Sequence, residues 1–128
     1  MTPKFLGVDS VLRIHEVSIE MFRGAGGVRE PGLLDSSVAQ PRATYGRDYL
    51  HDDLFAMAPA YLFHIVKNHP FVDGNKRTGL AADLSFLDVN GLSVDTPNAE
   101  LSDATIAVTE TRLDKPGLAE ILRRLGGG

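Results

Sequence analysis

Apolar residues recur with a helical period through most of this chain. Val8, Val11, Leu12, His15, Ile19 and Phe22 fall at i, i+3 and i+4 spacing, which predicts an amphipathic helix over residues 8–23. Asp9 or Ser10 stands near its start, and Gly24 with Gly26 and Gly27 ends it. His15 lies on the apolar stripe, where it reads as a core-edge histidine with one nitrogen satisfied rather than as a catalytic one. A turn-rich connection runs from Gly24 to Gly32, and Pro31 suits the first turn of a short helix through Leu33, Leu34 and Val38, closed by Pro41. In Arg42–Tyr49 the alternation of Thr44, Tyr45 and Tyr49 around Gly46 fits a small hairpin as well as a plain surface loop.

Residues 52–67 carry Leu54, Phe55, Ala58, Tyr61, Leu62, Ile65 and Val66, apolar around so much of the circumference that this is the expected central, buried helix. Pro59 predicts a kink there, or a helix that starts nearer Ala58. A further helix begins near Arg77, with Leu80, Leu84 and Leu87 lining one face beside Ala81, Ala82 and Phe86, and Asn90-Gly91 ending it. Thr96-Pro97 is a suitable cap and first turn for a helix through Leu101, Thr105, Ile106 and Val108. Asp114 caps a last helix through Leu118, Ile121, Leu122 and Leu125, followed by a tail of glycines from Gly126 to Gly128. Arg123 and Arg124 in its last turn suit the helix dipole. The prediction is an all-α bundle of about six helices around a central one, a single domain spanning residues 1–128.

Composition narrows the function. A hydrophobic fraction of 43% and a charged fraction of 23% are ordinary for a water-soluble fold. A net charge of −4 argues against direct nucleic-acid binding. With no cysteine there is neither a disulfide framework nor a zinc–thiolate site. The first residues lack an apolar signal region and no run reaches membrane-spanning length, so a cytoplasmic protein is expected.

The chemistry concentrates in Asn68-His69-Pro70-Phe71-Val72-Asp73-Gly74-Asn75-Lys76-Arg77-Thr78-Gly79, a loop leading from one apolar run into the next. Asp73 and Asn75 are both plausible N-caps, and Gly74 permits the tight turn that leaves several backbone N–H groups aimed at one point. Lys76 and Arg77 add positive charge where the helix dipole already favours anions. The expected result is a phosphate cradle, with His69 as proton acceptor and Asp73 as an oxygen ligand for magnesium. Lys67, just before the loop, fits a phosphate contact and a helix-end cation equally well.

His-Pro-Phe-x-Asp-Gly-Asn-x-Arg resembles the signature loop of the Fic family, in the form of its death-on-curing (Doc) branch. Classical Fic enzymes carry glycine after the asparagine and a second arginine three residues after the first. Here Lys76 and Leu80 occupy those positions, as in Doc-like toxins. The resemblance implies a Fic-like bundle with a flap near the active-site loop, here Arg42–Tyr49. It implies ATP and Mg2+ as cofactors, with His69 taking the proton of a protein hydroxyl and Asp73 holding the metal. Gly74, Asn75, Lys76 and Arg77 would hold phosphates, while Pro70 and Phe71 would be structural. It implies γ-phosphate transfer rather than AMP transfer, since Leu80 lacks the second arginine's clamp. The implied partners are a protein substrate, translation elongation factor Tu in that branch, and an antitoxin whose C-terminal segment folds as a helix in an apolar groove.

Two other readings of the residues stand beside this one. His51-Asp52, with His15, His64, His69 and Asp83, offers the ligand types of an HD-type metal phosphohydrolase without its spacing. A non-catalytic module using the cradle to dock an acidic segment would bind no nucleotide.

Overall fold

A computed structural model describes residues 2–46, 48–51, 53–95 and 98–126. Its centre is a helix, α3, Leu54–Asn68. Asp53 caps α3 by accepting a hydrogen bond from Ala56 N–H at 2.8 Å. That cap excludes the late start near Ala58: α3 is one helix through Pro59, whose buried ring forgoes only the bond to the carbonyl four residues back. Phe55, Met57, Tyr61, Leu62, Ile65 and Val66 of α3 all lie in the core.

The other helices surround it. These are α1 (Val8–Phe22), α2 (Pro31–Ala39), α4 (Asn75–Val89), α5 (Ala99–Thr109) and α6 (Lys115–Leu125). The most extensive packing is α3 against α4. Gly79 permits it: a Cβ there would lie 3.3 Å from the Leu62 carbonyl oxygen. The fold is thus the all-α bundle that the periodicity predicts.

The inner face of α4 differs from the expected one. Thr78, Gly79, Ala82, Asp83, Phe86 and Leu87 face inward, whereas Leu80, Ala81 and Leu84 are only half-buried, beside α1. Asp83 is fully buried, neither carboxylate oxygen has a hydrogen-bond partner among the described residues, and burial raises its pKa well above the ordinary carboxylate value.

The N-terminal segment is pinned to this core. The Asn90 side chain accepts from Lys4 N–H at 2.8 Å and donates to Lys4 O at 2.9 Å. The Tyr61 hydroxyl accepts from Leu6 N–H at 2.8 Å and donates to Leu6 O at 3.3 Å. Burial pushes that phenol up to about 12, the Leu6 bond opposing the shift.

After α2 the chain makes a 3-10 turn (Gln40–Arg42) and a hairpin, β1 (Thr44–Tyr45) against β2 (Asp48–Tyr49), in register Thr44 to Tyr49. The expected hairpin forms, but not beside the signature loop. Tyr49 packs on Phe5, and Phe5 stacks on Phe86 in the last turn of α4. The loop enters that helix at its other end, so the hairpin stands nearly a helix length away. Apolar contact with the N-terminal segment holds it there. Arg47 lies outside the described residues.

Of the two later caps, one differs from the expected one. Asn98 caps α5, its side-chain oxygen accepting from Glu100 N–H and Leu101 N–H; Thr96 and Pro97 lie outside the described residues. Asp114 caps α6 as expected, accepting from Gly117 N–H at 2.8 Å. Arg123 and Arg124 do more than suit a dipole. Arg123 pairs with Asp53, tying the end of α6 to the start of α3, and Arg124 pairs with Glu100. Of the glycine tail, Gly127 and Gly128 lie outside the described residues.

Candidate active site

The loop between α3 and α4 is stapled from within. Asn75 is buried, and its side chain accepts from Phe71 N–H and donates to Phe71 O, both at 3.0 Å. It therefore cannot cap α4. Nor does Asp73, whose Oδ1 turns to Gly74 N–H at 2.8 Å. The N-cap is Gly74, in the left-handed region at φ 79° with no side chain to offer. Thr78 N–H, bonded to Gly74 O, is the first to find its helical acceptor. The N–H groups of Asn75, Lys76 and Arg77 are left without one, at the positive end of the helix dipole. Lys76 and Arg77 are exposed and form no ion pair among the described residues.

These groups open onto a cavity of about 540 Å3 lined by Val66, His69, Asp73, Gly74, Asn75, Lys76, Arg77 and Thr109. His69, Asp73 and the cradle are thus brought together as the sequence predicts. Lys67 is not among the lining residues. Its ammonium donates to Thr111 Oγ1 at 2.7 Å and lies over the Phe63 ring. Leu80 is also absent; it lines a separate apolar groove.

Other parts of the chain hold the loop from behind. Phe71 is fully buried, and the His15 ring stacks on it at 3.8 Å between centroids and 7° between planes. His15 Nε2 donates to the Asp73 carbonyl at 2.8 Å. One nitrogen is satisfied, as read from the sequence, yet its partner is the backbone of the predicted metal ligand. The segment between α1 and α2 runs along the loop. Ala25 N–H donates to Asp73 Oδ2 at 3.3 Å, Val72 N–H to Gly27 O at 3.1 Å, and Arg29 N–H to Pro70 O at 2.7 Å. Gly24 has to be small: a Cβ there would lie 2.6 Å from Asp73 Oδ2. The residues of this segment read from the sequence only as a turn; Gly24, Ala25 and Arg29 carried no other signal, and neither did Thr109.

The groove lies between α1 and α4 and is closed by the start of α5. It measures about 510 Å3, lined by Ile14, Val17, Met21 and Phe22 on one side and Leu80, Ala81 and Leu84 on the other. Met21 is 69% exposed and Phe22 57%, high for large apolar side chains. Arg77 borders both groove and cavity, its guanidinium 5.0 Å above the Phe22 ring.

The remaining candidate metal ligands do not gather. His64 Nε2 faces Lys115 Nζ at 3.1 Å; burial, with the charges of Lys115 and His51, lowers its pKa to about 4. Asp83 lies in the core with no hydrogen-bond partner among the described residues, and Asp52 lies outside them. Among the described residues no three His, Cys, Asp or Glu side chains are grouped to hold a metal ion. No helix among them is long and apolar enough to cross a membrane.

The family model of the Fic/DOC family matches residues 5–87, from the N-terminal segment through nearly all of α4. A protein kinase doc of Escherichia phage P1 is 30% identical over 125 residues, 97% of each chain. A toxin Doc of Mycolicibacterium smegmatis (strain ATCC 700084 / mc(2)155) is 42% identical over 116 residues, 87% of this chain and 86% of its own. The chain belongs to the Fic/DOC family, in its Doc toxin branch, and is a nucleotide-dependent protein-modifying enzyme.

Proposed function

We propose that this toxin transfers the γ-phosphate of ATP to a hydroxyl of a protein substrate, translation elongation factor Tu being the substrate to test first, and thereby blocks translation. The observation that carries the reading is the uncapped start of α4, open beneath two unpaired cations and facing His69 across one cavity. ATP, as its magnesium complex, supplies the phosphoryl group.

The chain's own residues then have separable roles. The imidazole of His69 takes the proton of the attacking hydroxyl. The free N–H groups of Asn75, Lys76 and Arg77, with the Lys76 and Arg77 side chains, hold phosphate charge, and the left-handed turn at Gly74 keeps them uncapped. Asp73 suits magnesium because its carboxylate accepts only two backbone hydrogen bonds and retains lone pairs for a hard cation. Pro70 and Phe71 anchor the loop, and Lys67 acts as a helix-end cation. Phosphate rather than AMP transfer is supported by Leu80, which provides no second guanidinium, and by the protein kinase named among the relatives.

The toxin is held inactive by an antitoxin whose C-terminal segment lies as an amphipathic helix in the groove between α1 and α4. Apolar walls and exposed Met21 and Phe22 fit such a segment. The deciding experiment is mass spectrometry of elongation factor Tu after incubation with this protein, ATP and magnesium. A single added phosphate is expected. Added AMP would replace the kinase reading with AMP transfer, and an unmodified factor would remove it as the substrate.

A further inference from the structure

His69 closes α3 with its backbone in the left-handed region, at φ 54° and ψ 54°. A helix that ends this way usually has glycine at that position, and often a second N–H one residue on that folds back to the helix. Neither is available: His69 carries a β-carbon, and Pro70 has no N–H. The remaining backbone bond is His69 N–H to Ile65 O at 3.0 Å.

A side chain forty residues away in sequence meets the exposed carbonyls instead. Arg29 Nε donates to His69 O at 2.8 Å, and its Nη2 donates to Asn68 O at 3.0 Å. A planar guanidinium holds two neighbouring oxygens in a fixed geometry, which the freely rotating donors of an ammonium do not impose. The fork is itself fixed to the loop, since the N–H groups of Arg29 and Glu30 both donate to Pro70 O, at 2.7 and 3.1 Å. Val28 forms an antiparallel bridge with Phe71 just beside it. Arg29 is nonetheless exposed, so it adds little buried surface.

We infer that Arg29 is the positioning residue for His69: its guanidinium holds the end of α3 in the conformation that turns the imidazole toward the cradle. The inference rests on His69 being the base, and the test separates the two. Full-length protein labelled with 15N-histidine is compared as wild type, Arg29→Gln and Arg29→Lys. The readouts are the imidazole signals of His69, amide exchange at His69, affinity for Mg–ATP, and phosphate transfer to elongation factor Tu.

In Arg29→Gln the His69 signals should shift and its amide should lose protection, while amides in the middle of α3 and α4 keep theirs. Turnover should fall on the order of tenfold to a hundredfold, the cost of displacing a reacting group by about an ångström. KM for ATP and Mg–ATP affinity should hold. Arg29→Lys, which keeps the charge but not the fork, should fall between the two and covers the case of a poorly folded Gln variant. Unchanged His69 signals and exchange in Arg29→Gln overturn the inference whatever the turnover. A loss of Mg–ATP affinity matching the loss of turnover overturns it too, by making Arg29 part of the cradle. If the wild type transfers no phosphate to elongation factor Tu, the substrate or the kinase reading fails, and the two His69 readouts still decide whether Arg29 holds that backbone.

Discussion

Two concavities of nearly equal volume, about 540 and 510 Å3, lie on either side of Arg77, and their chemistry is opposite. The cavity is built from backbone N–H groups, a carboxylate and cations on a loop fixed by long-range hydrogen bonds. The groove is built from side chains of α1, α4 and the start of α5, and its walls are mostly apolar. Polar geometry of the first kind selects a small charged ligand, because each donor must be met or left unsatisfied. Apolar walls of the second kind accept any segment that buries enough surface, and so suit a peptide. The same short helix start serves both, through Arg77, which borders the cavity and lays its guanidinium over an aromatic ring of the groove.

The largest effect should come from the cavity. His69→Ala is expected to lower transfer about 10²–10⁴-fold, the range for removing a general base, while leaving groove binding intact. Radiolabelled phosphate incorporation and antitoxin pull-down, run on the same sample, check both halves. Normal incorporation by the variant would exclude His69 as the base.

The groove should answer to a different ligand. A saturating antitoxin segment, at about a hundredfold excess over its Kd, should stabilise the fold by roughly 3 kcal/mol and raise Tm. Met21→Asp should abolish that shift without changing Mg–ATP affinity, since Met21 lines the groove and not the cavity. An unchanged Tm with the wild type counts against the groove as the docking site.

Asp83 lies buried in α4, the helix that contributes to both sites, and tests whether they depend on the core's stability. The native state raises its pKa above the unfolded value, so its protonated form is favoured by folding. Its contribution is fully present below the unfolded pKa and is lost as pH rises through the native one. Asn at that position cannot ionise, so Asp83→Asn should stabilise the protein at neutral pH, and the gain should fade toward pH 4. His64 acts with opposite sign, because its native pKa of about 4 makes stability fall as pH drops below the unfolded value of 6.5. Denaturant melts across pH check both; a gain for Asp83→Asn that is flat with pH would exclude ionisation as its cause.

Two smaller effects concern single positions. Asp73→Asn should weaken magnesium-dependent ATP binding by about tenfold and leave magnesium-free binding alone. Titration with and without magnesium checks it, and equal dependence in both proteins removes Asp73 as the metal ligand. Leu80→Arg should leave the transferred group as phosphate, because the side chain enters the groove rather than the cavity. Its expected consequence is weaker antitoxin binding and a stability change below about 1 kcal/mol, Leu80 being only half-buried. Mass spectrometry of the modified target reads the first, and AMP on the variant's target would return Leu80 to the cavity.

The helices were legible because apolar period is a local property. Asp114 could be read as a cap for the same reason. Apart from the caps within the loop itself, what the sequence left open was decided between distant segments. Asp73 and Asn75 both look like caps until Phe71 and Gly74 claim their side chains. The hairpin's residues were visible but not its location, which depends on Phe5 and Phe86. Leu80 and Leu84 share a stripe with core leucines, and only the position of α1 turns that stripe into a groove. Asp83 reads only as one of the scattered candidate metal ligands, and nothing local marks it as buried. His69, Asp73 and the cradle were readable because one loop carries them; Arg29 was not, lying forty residues away from His69.

That separation limits how far the loop can travel. A segment cut from residues 68–79 and spliced between two helices of another protein would keep its letters and lose its shape. It would arrive without the chain that bonds to Pro70, His69 and Asp73, and without the ring stacked on Phe71. The backbone of His69 would then relax out of a conformation that costs roughly 1–2 kcal/mol for a residue with a β-carbon. A working graft therefore has to include residues 15–30 as a companion piece, and a scaffold that brings both pieces together is already most of this fold.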